Sequence, residues 1–127
     1  MIQNGTYLKV VDNSGAKDVC CIKVSKGYRK RYSFIGDIIV VSIKNLRKKR
    51  RLTSKVKKGD VTKALIVRTR STTNSKQSES TSFMDNSVIL ITKQNKLIGT
   101  RIFGAIPKSF RYTKFLRLAS LCAGTVK

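Results

Sequence analysis

Three short runs along the chain are almost wholly aliphatic or β-branched: IIVVSI at Ile38–Ile43, VTKALIV at Val61–Val67 and VILIT at Val88–Thr92. Each follows a corner of turn-forming residues, Gly36-Asp37, Gly59-Asp60 and Asp85-Asn86 respectively. Apolar runs this short, rich in Val and Ile and bounded by turn signals, predict strands buried on at least one face. Two more strands are predicted upstream, TYLKVV at Thr6–Val11 and VCCIKV at Val19–Val24. They flank Asp12-Asn13-Ser14-Gly15, which offers side-chain caps and a position for positive φ. The strands recur without helical segments between them, which favours a small barrel over a parallel sheet. Closure also leaves no exposed strand edge.

Helical character is predicted only near the C-terminus. In Pro107–Cys122 the residues Phe110, Phe115, Leu118, Leu121 and Cys122 share one face, with Lys108, Arg111, Lys114 and Arg117 opposite. Pro107 suits a first helical turn and Thr113 a second cap. STTNSKQSESTS at Ser71–Ser82 contains no apolar residue and is expected to be a loop, solvated or ordered by a partner. No repeat or linker interrupts the pattern, so residues 1–127 are expected to form one domain.

Charge changes the picture. The chain has 127 residues with 28 Lys+Arg against 6 Asp+Glu, a net charge of +22. Self-repulsion of that size calls for a polyanion. Nucleic acid and an anionic membrane are the two candidates. No run approaches the roughly 18 apolar residues of a spanning helix. The apolar face of 107–122, the best membrane-surface candidate, is expected to cover the barrel instead. MIQNGTYLKVVDNSGAK at the N-terminus lacks a leader's basic head and apolar block, so the chain is expected to work where it is made or to have lost its leader.

Little in the composition supports catalysis. Without histidine, no serine or cysteine has its usual imidazole base. Asp12, Asp37, Asp60 and Asp85 sit beside Gly or Asn, where a carboxylate commonly caps backbone N–H groups. Asp18 precedes a strand and Glu79 lies in the polar loop. Gly99–Gly104, GTRIFG, lacks the Lys-Ser/Thr ending of a nucleotide-binding loop. Cys20, Cys21 and Cys122 have no metal-type spacing, and Cys20-Cys21 read as strand residues on opposite faces, implying a reducing compartment. No enzyme activity, metal or cofactor is expected.

The positive charge is concentrated in three places. KVSKGYRKRY at Lys23–Tyr32 interleaves aromatics with cations. KNLRKKRRLTSKVKKGD at Lys44–Asp60 holds nine cations up to Lys58 and no acid before Asp60. The third cluster runs from Arg101 to Arg117. Arg makes bidentate phosphate contacts, and Tyr stacks on unpaired bases. The residues expected to meet RNA are Lys23, Lys26, Arg29, Lys30, Arg31 and Tyr32; Arg47, Lys48, Lys49, Arg50, Arg51, Lys55, Lys57 and Lys58; and Arg68 with Arg70. The middle cluster is expected to form a hairpin-like arm between the strands ending near Ile43 and starting near Val61, with Thr53 and Ser54 near its tip. Composition alone does not choose between DNA and RNA, but basic loops on a small barrel suit irregular RNA.

In order along the chain stand MIQ at Met1–Gln3, Leu8, Val10, DNSGA at Asp12–Ala16, CIKV at Cys21–Val24, RKRY at Arg29–Tyr32 and GDII at Gly36–Ile39. KVKKGDV at Lys55–Val61, VRT at Val67–Thr69, Phe83, Asp85-Asn86, IGTRIFG at Ile98–Gly104, Phe115 and Ser120-Leu121 follow. This ordered set resembles the L-fourteen family of large-subunit ribosomal proteins almost end to end. The resemblance implies an all-β fold, a closed five-stranded β-barrel over about 1–104 with a C-terminal extension of short helices and loops over about 105–127. It also implies a structural constituent of the large subunit that binds large-subunit rRNA and lies beside the L-nineteen protein. An intersubunit bridge to small-subunit rRNA would follow. In the bacterial branch a silencing factor docks at the GTR region, which here implies Thr100 and Arg101, with Arg111 and Arg117 on the same partner-facing side. A free RNA-binding or RNA-chaperone barrel is the alternative function.

Departures from the family pattern fall in loops. NLRKKRRLTS replaces a shorter link, STTNSKQSESTS replaces a basic Gly-containing loop, and Gly104-Ala105 stands where the family has Gly-Pro. A bacterial-type frame rich in Lys, Ile, Ser and Asn suggests a mitochondrial protein, with plastid or bacterial cytoplasm as the alternatives.

Overall fold

The computed structural model describes residues 1–25, 27–50, 52–74 and 80–126; of Arg50, Thr73 and Asn74 it describes the backbone. Its strands are β1 Tyr7–Val10, β2 Ala16–Val24, β3 Ile38–Leu46, β4 Val61–Arg68, β5 Thr73–Asn74, β6 Ser80–Thr81, β7 Ser87–Ile91, β8 Ile102–Pro107 and β9 Cys122–Val126. Five of them close a barrel in the order β1-β2-β3-β4-β7. Neighbours are antiparallel except at the seam, where β7 returns parallel to β1 through Lys9↔Ser87 and Val10↔Val88. The all-β class and the closed five-stranded barrel read from the sequence are both present.

The run IIVVSI explains the barrel interior. Successive side chains of a strand point to opposite faces, so Ile39, Val41 and Ile43 turn inward while Ile38, Val40 and Ser42 stay half-exposed. Leu8, Val10, Val19, Cys21, Ala64, Ile66, Val88 and Leu90 complete this interior, and Ile2 and Val56 belong to the same cluster. Cys21 faces in and Cys20 is only half-buried, as alternation requires. Burial, and secondarily the neighbouring Cys20, pushes the Cys21 thiol above its usual range.

On β4 and β7 alternation gives way to burial on both faces: every residue of Ser87–Ile91 is buried, as are Ala64 through Val67. A second apolar layer accounts for this. Val11, Leu65, Val67 and Ile89 pack outside the barrel against Ile102, Ile106, Phe110 and Leu118. The continuous runs ALIV and VILI are thus strands sandwiched between two cores.

The covering layer differs from the expected helical one. Pro107 ends β8 with extended backbone rather than opening a helix, and a 3-10 turn follows over Lys108–Tyr112. The α-helix, α1, covers only Leu116–Leu121, and no side chain caps its N-terminus. Thr113 sits at the junction, where its Oγ1 donates to the Phe110 carbonyl (3.1 Å) and accepts from the Phe115 N–H (3.3 Å). Cys122 begins β9, which pairs parallel with β8. Parallel strands need a crossover, and the segment 108–121 supplies it. The expected apolar face is nonetheless present, because Phe110 and Leu118 are buried and Phe115, Leu121 and Cys122 pack around them. Among the described residues no helix is long and apolar enough to cross a membrane.

The stretch 44–60 is not a projecting hairpin. Pairing of β3 with β4 ends at Ser42↔Val61, and the rest of β3 pairs with β2 through Asn45↔Asp18 and Leu46↔Ala16. The chain then makes a 3-10 turn at Lys48–Arg50 and returns. Both limbs are tied to the β1–β2 turn, by Arg47 N–H to the Gly15 carbonyl (2.9 Å) and Lys55 N–H to the Ser14 carbonyl (3.0 Å). Val56 is buried with the barrel interior. Val56 pulls the return limb inward, and Leu46 on the outgoing limb packs against the same cluster.

That β1–β2 turn is organised by Asp12, which is 1% exposed. One carboxylate oxygen accepts from the Ser14 N–H (2.9 Å) and the Ser14 hydroxyl; the other accepts from the Leu90 N–H of β7 (2.9 Å). Asp37 Oδ2 accepts from the Phe34 N–H (3.1 Å) and Asp60 Oδ2 from the Lys57 N–H (2.9 Å), so both close turns as expected. Replacing Asp12 with Ala strands two buried N–H groups at about 1–3 kcal/mol each, so denaturant unfolding should show a loss of about 2–6 kcal/mol. Asp60→Ala, at an exposed turn, should cost only about 0.5–1 kcal/mol by analogy with caps. Phe110→Ala, which opens the outer core, should cost about 3–5 kcal/mol; a near-neutral result would mean that the outer layer contributes little to the fold.

Candidate nucleic-acid interface

The turn Asp12–Gly15 is the point from which the surface is built. Asn13 reaches from it across to the start of β8. Its Oδ1 accepts from the Thr100 N–H (2.8 Å) and the Arg101 N–H (3.4 Å), and its Nδ2 donates to Thr100 Oγ1 (2.8 Å). Position 99 must be glycine for this approach, since a Cβ there would lie 2.8 Å from the Cβ of Asp12. The DNSG and GTR stretches, 87 residues apart, thus form one rigid corner.

Next to that corner sits Phe103. The guanidinium of Arg47 lies 5.3 Å from its ring centroid and that of Arg101 lies 5.8 Å away, within cation–π range. Arg47 also donates to the Val10 carbonyl (3.0 Å), which fixes the end of β3 against β1. Arg68 is held comparably. It donates to the Phe103 carbonyl (3.1 Å), pairs with Asp85 at 3.7 Å and lies against Gly104. The φ of +83° at residue 104 favours glycine, and a Cβ there would fall 2.6 Å from Arg68 Nη1 and displace the guanidinium. Arg47 and Arg68, expected at the RNA surface, are engaged by the chain's own carbonyls and aromatic ring.

Most of the other described cations of these clusters are exposed. Lys48 and Lys58 line one concavity with Lys17, Asn45, Leu46 and Arg47, and Lys49 and Lys57 are exposed nearby in sequence. Lys17 was not among the expected RNA contacts; a single lysine inside DNSGAK gives no clustering signal, and only the pairing of Ala16 with Leu46 brings it to the others. Lys55 donates to the Ile98 carbonyl (3.1 Å) while remaining exposed. Lys23 is exposed on β2, and Arg29, Arg31 and Tyr32 are exposed on the loop that follows. Lys30 is half-buried against Asp37 (3.1 Å). Arg70 is exposed, its backbone N–H bound by Asn86 (2.8 Å). Lys26, Arg51 and the side chain of Arg50 lie outside the described residues, as does the middle of the Ser71–Ser82 loop.

On the other side of the corner, Thr100 and Arg117 share a cleft with Asn95, Lys96, Gly99, Lys114 and Phe115. The expected partner-facing residues are therefore partly gathered: Thr100 and Arg117 line this cleft, Arg101 turns to Phe103, and Arg111 stands exposed at the end of the 3-10 turn. Lys96 and Lys114 complete the cleft's basic lining; Lys114 belongs to the third basic cluster, whereas Lys96 was not singled out by sequence.

Electrostatically the surface is one-sided. Two ion pairs join described residues, Lys30–Asp37 and Arg68–Asp85. Asp12 and Asp60 accept backbone N–H groups, and Asp18 accepts from the Asn45 amide (3.1 Å). Carboxylates thus close turns, and most lysines and arginines face solvent. Among the described residues no group of three or more Cys, Asp or Glu is placed to hold a metal ion.

Residues 1–126 match the protein family described as Ribosomal protein L14p/L23e, a match that runs through every strand and loop just described. The chain therefore belongs to the L14p/L23e family of ribosomal proteins, structural components of the large ribosomal subunit.

Proposed function

We propose that this chain binds large-subunit rRNA through its basic loops and helps to form a bridge to small-subunit rRNA. The observation that carries the reading is the distribution of charge: a net +22 with only two ion pairs between described residues, on a fold whose family is ribosomal. Phosphate is the ligand that the lining of Lys17, Lys48 and Lys58 suits, because lysine ammonium groups at a concave surface focus a positive field. The exposed Lys49 and Lys57 lie beside this concavity in sequence, while Lys23, Arg29, Arg31 and Tyr32, at and beyond the opposite end of β2, and Arg70 offer further contacts. Arg47 and Arg68 serve as braces that hold it in shape.

The cleft between Thr100 and Arg117 is the proposed meeting point for proteins, with an L-nineteen-type neighbour and a silencing factor as its partners. Its support is the rigid Asn13–Thr100 contact, which presents that edge without an ordering cost on binding. Residues 1–127 act in this reading as one domain, within a bacterial-type ribosome of the mitochondrion.

Particle sedimentation tests the assignment: the protein should stay with large subunits through a high-salt wash, whereas a free RNA chaperone would be stripped off. With roughly 6–10 phosphates neutralised, isolated protein should lose about 10³–10⁵-fold in RNA affinity between 50 and 200 mM salt. A flat salt dependence overturns the reading. Replacing Lys48, Lys49, Lys57 and Lys58 with Gln should lower the log–log salt slope by about 3, with thermal stability at low salt unchanged or higher. Arg47→Ala should do the opposite, costing about 1–3 kcal/mol of stability through the lost Val10 and Phe103 contacts.

A further inference from the structure

The loop after β2 carries an aromatic ring that the fold does not use. Tyr28 is 89% exposed, the most open tyrosine or phenylalanine among the described residues. It is nevertheless not a loose side chain. The guanidinium of Arg29 lies over its ring at 5.2 Å, and Arg29 holds the left-handed backbone conformation at φ 55°. A non-glycine residue in that region is uncommon, and such conformations concentrate where a side chain is aimed at something.

The base of the loop is fixed. Lys30 pairs with the buried Asp37, which also accepts the Phe34 N–H. Ser33 exchanges two backbone bonds with Ile2, at 2.9 and 2.8 Å. Gly36 and Asp37 bond to Ile66 of β4. A rigid stem thus carries an exposed ring with a cation on it, at a tip that has no carboxylate between Lys23 and Phe34.

We propose that Tyr28 and Arg29 together bind one unpaired nucleotide, the tyrosine ring stacking on the base and the guanidinium taking the phosphate. An aromatic ring stacks on any base, since every base has a π-face, and arginine adds both cation–π and phosphate contacts. A paired duplex offers the phosphate but hides the base faces, so the pair selects a bulge or loop. A protein pocket is the less suitable occupant, because it would have to supply an acidic wall to match Arg29 and Arg31. This inference rests on the RNA-binding reading above and adds a kind of RNA feature to it.

The test uses the full chain and three RNA hairpins of one sequence: fully paired, with a single bulged adenosine, and with an abasic bulge at the same place. At fixed salt the protein should bind the bulged adenosine about tenfold more tightly than the abasic bulge. Tyr28→Leu should erase that preference while leaving affinity for the paired hairpin and its salt slope unchanged, and Tyr28→Trp should restore it. Arg29→Ala should weaken binding to the bulged hairpin more than to the paired one. Binding without preference, or a Tyr28→Leu variant that keeps the preference or weakens all three hairpins alike, overturns the stacking site alone. Absence of binding to every hairpin overturns it together with the RNA reading.

Discussion

A charged carboxylate cannot be left in an apolar interior without donors, and Asp12 is buried where the barrel closes. Its requirement is met only when two elements are in register, the β1–β2 turn bringing up Ser14 and β7 presenting Leu90. Residue 99 then packs so close to Asp12 that a side chain there would clash. A one-residue slip of β7 would remove the Leu90 N–H and turn the apolar set of that strand over. Asp12 therefore ties the closing seam of the barrel to the corner that presents Thr100 and Arg101, so the fold and the candidate partner surface share one interaction.

The six acidic residues and the twenty-eight basic ones serve different purposes. Asp12, Asp37 and Asp60 satisfy backbone donors at turns, where a neutral residue would leave an N–H unpaired. They do little to offset the positive field. Repulsion among the exposed cations opposes the compact state at low ionic strength and is relieved by salt or by phosphate. The fold tolerates this because its charges lie on loops and outer strand faces while two separate apolar layers hold the strands.

Much of this was legible in the residues. The runs IIVVSI, VTKALIV and VILIT became β3, β4 and β7 because short β-branched runs and the turn corners before them act locally. The turn roles of Asp37 and Asp60 were readable for the same reason. What was not legible depends on contacts distant in sequence. Nothing in LASLCAGTV distinguishes a helix that continues past Cys122 from one that stops to pair with Ile102; the parallel partner decides. Nothing local to Arg47 or Arg68 foretells their contacts, because the ring and carbonyl of Phe103 that they engage are brought to them by β8. Lys17 joined the concavity through strand register, a relation that no local spacing encodes.

The two-sided burial of β4 and β7 has a consequence for how the chain reaches its folded state. Leu65, Val67 and Ile89 form an outward apolar face, and the residues that cover them lie beyond Ile102. The barrel seam can close once β7 has been synthesised, but until the last strand and its crossover emerge from the ribosome that made them, this face remains wet. A nascent barrel at that stage is a closed sheet with an adhesive flank, the kind of intermediate that associates with its own copies. That flank is protected only when residues 102–126 dock on it, so the state before docking is the one exposed to self-association.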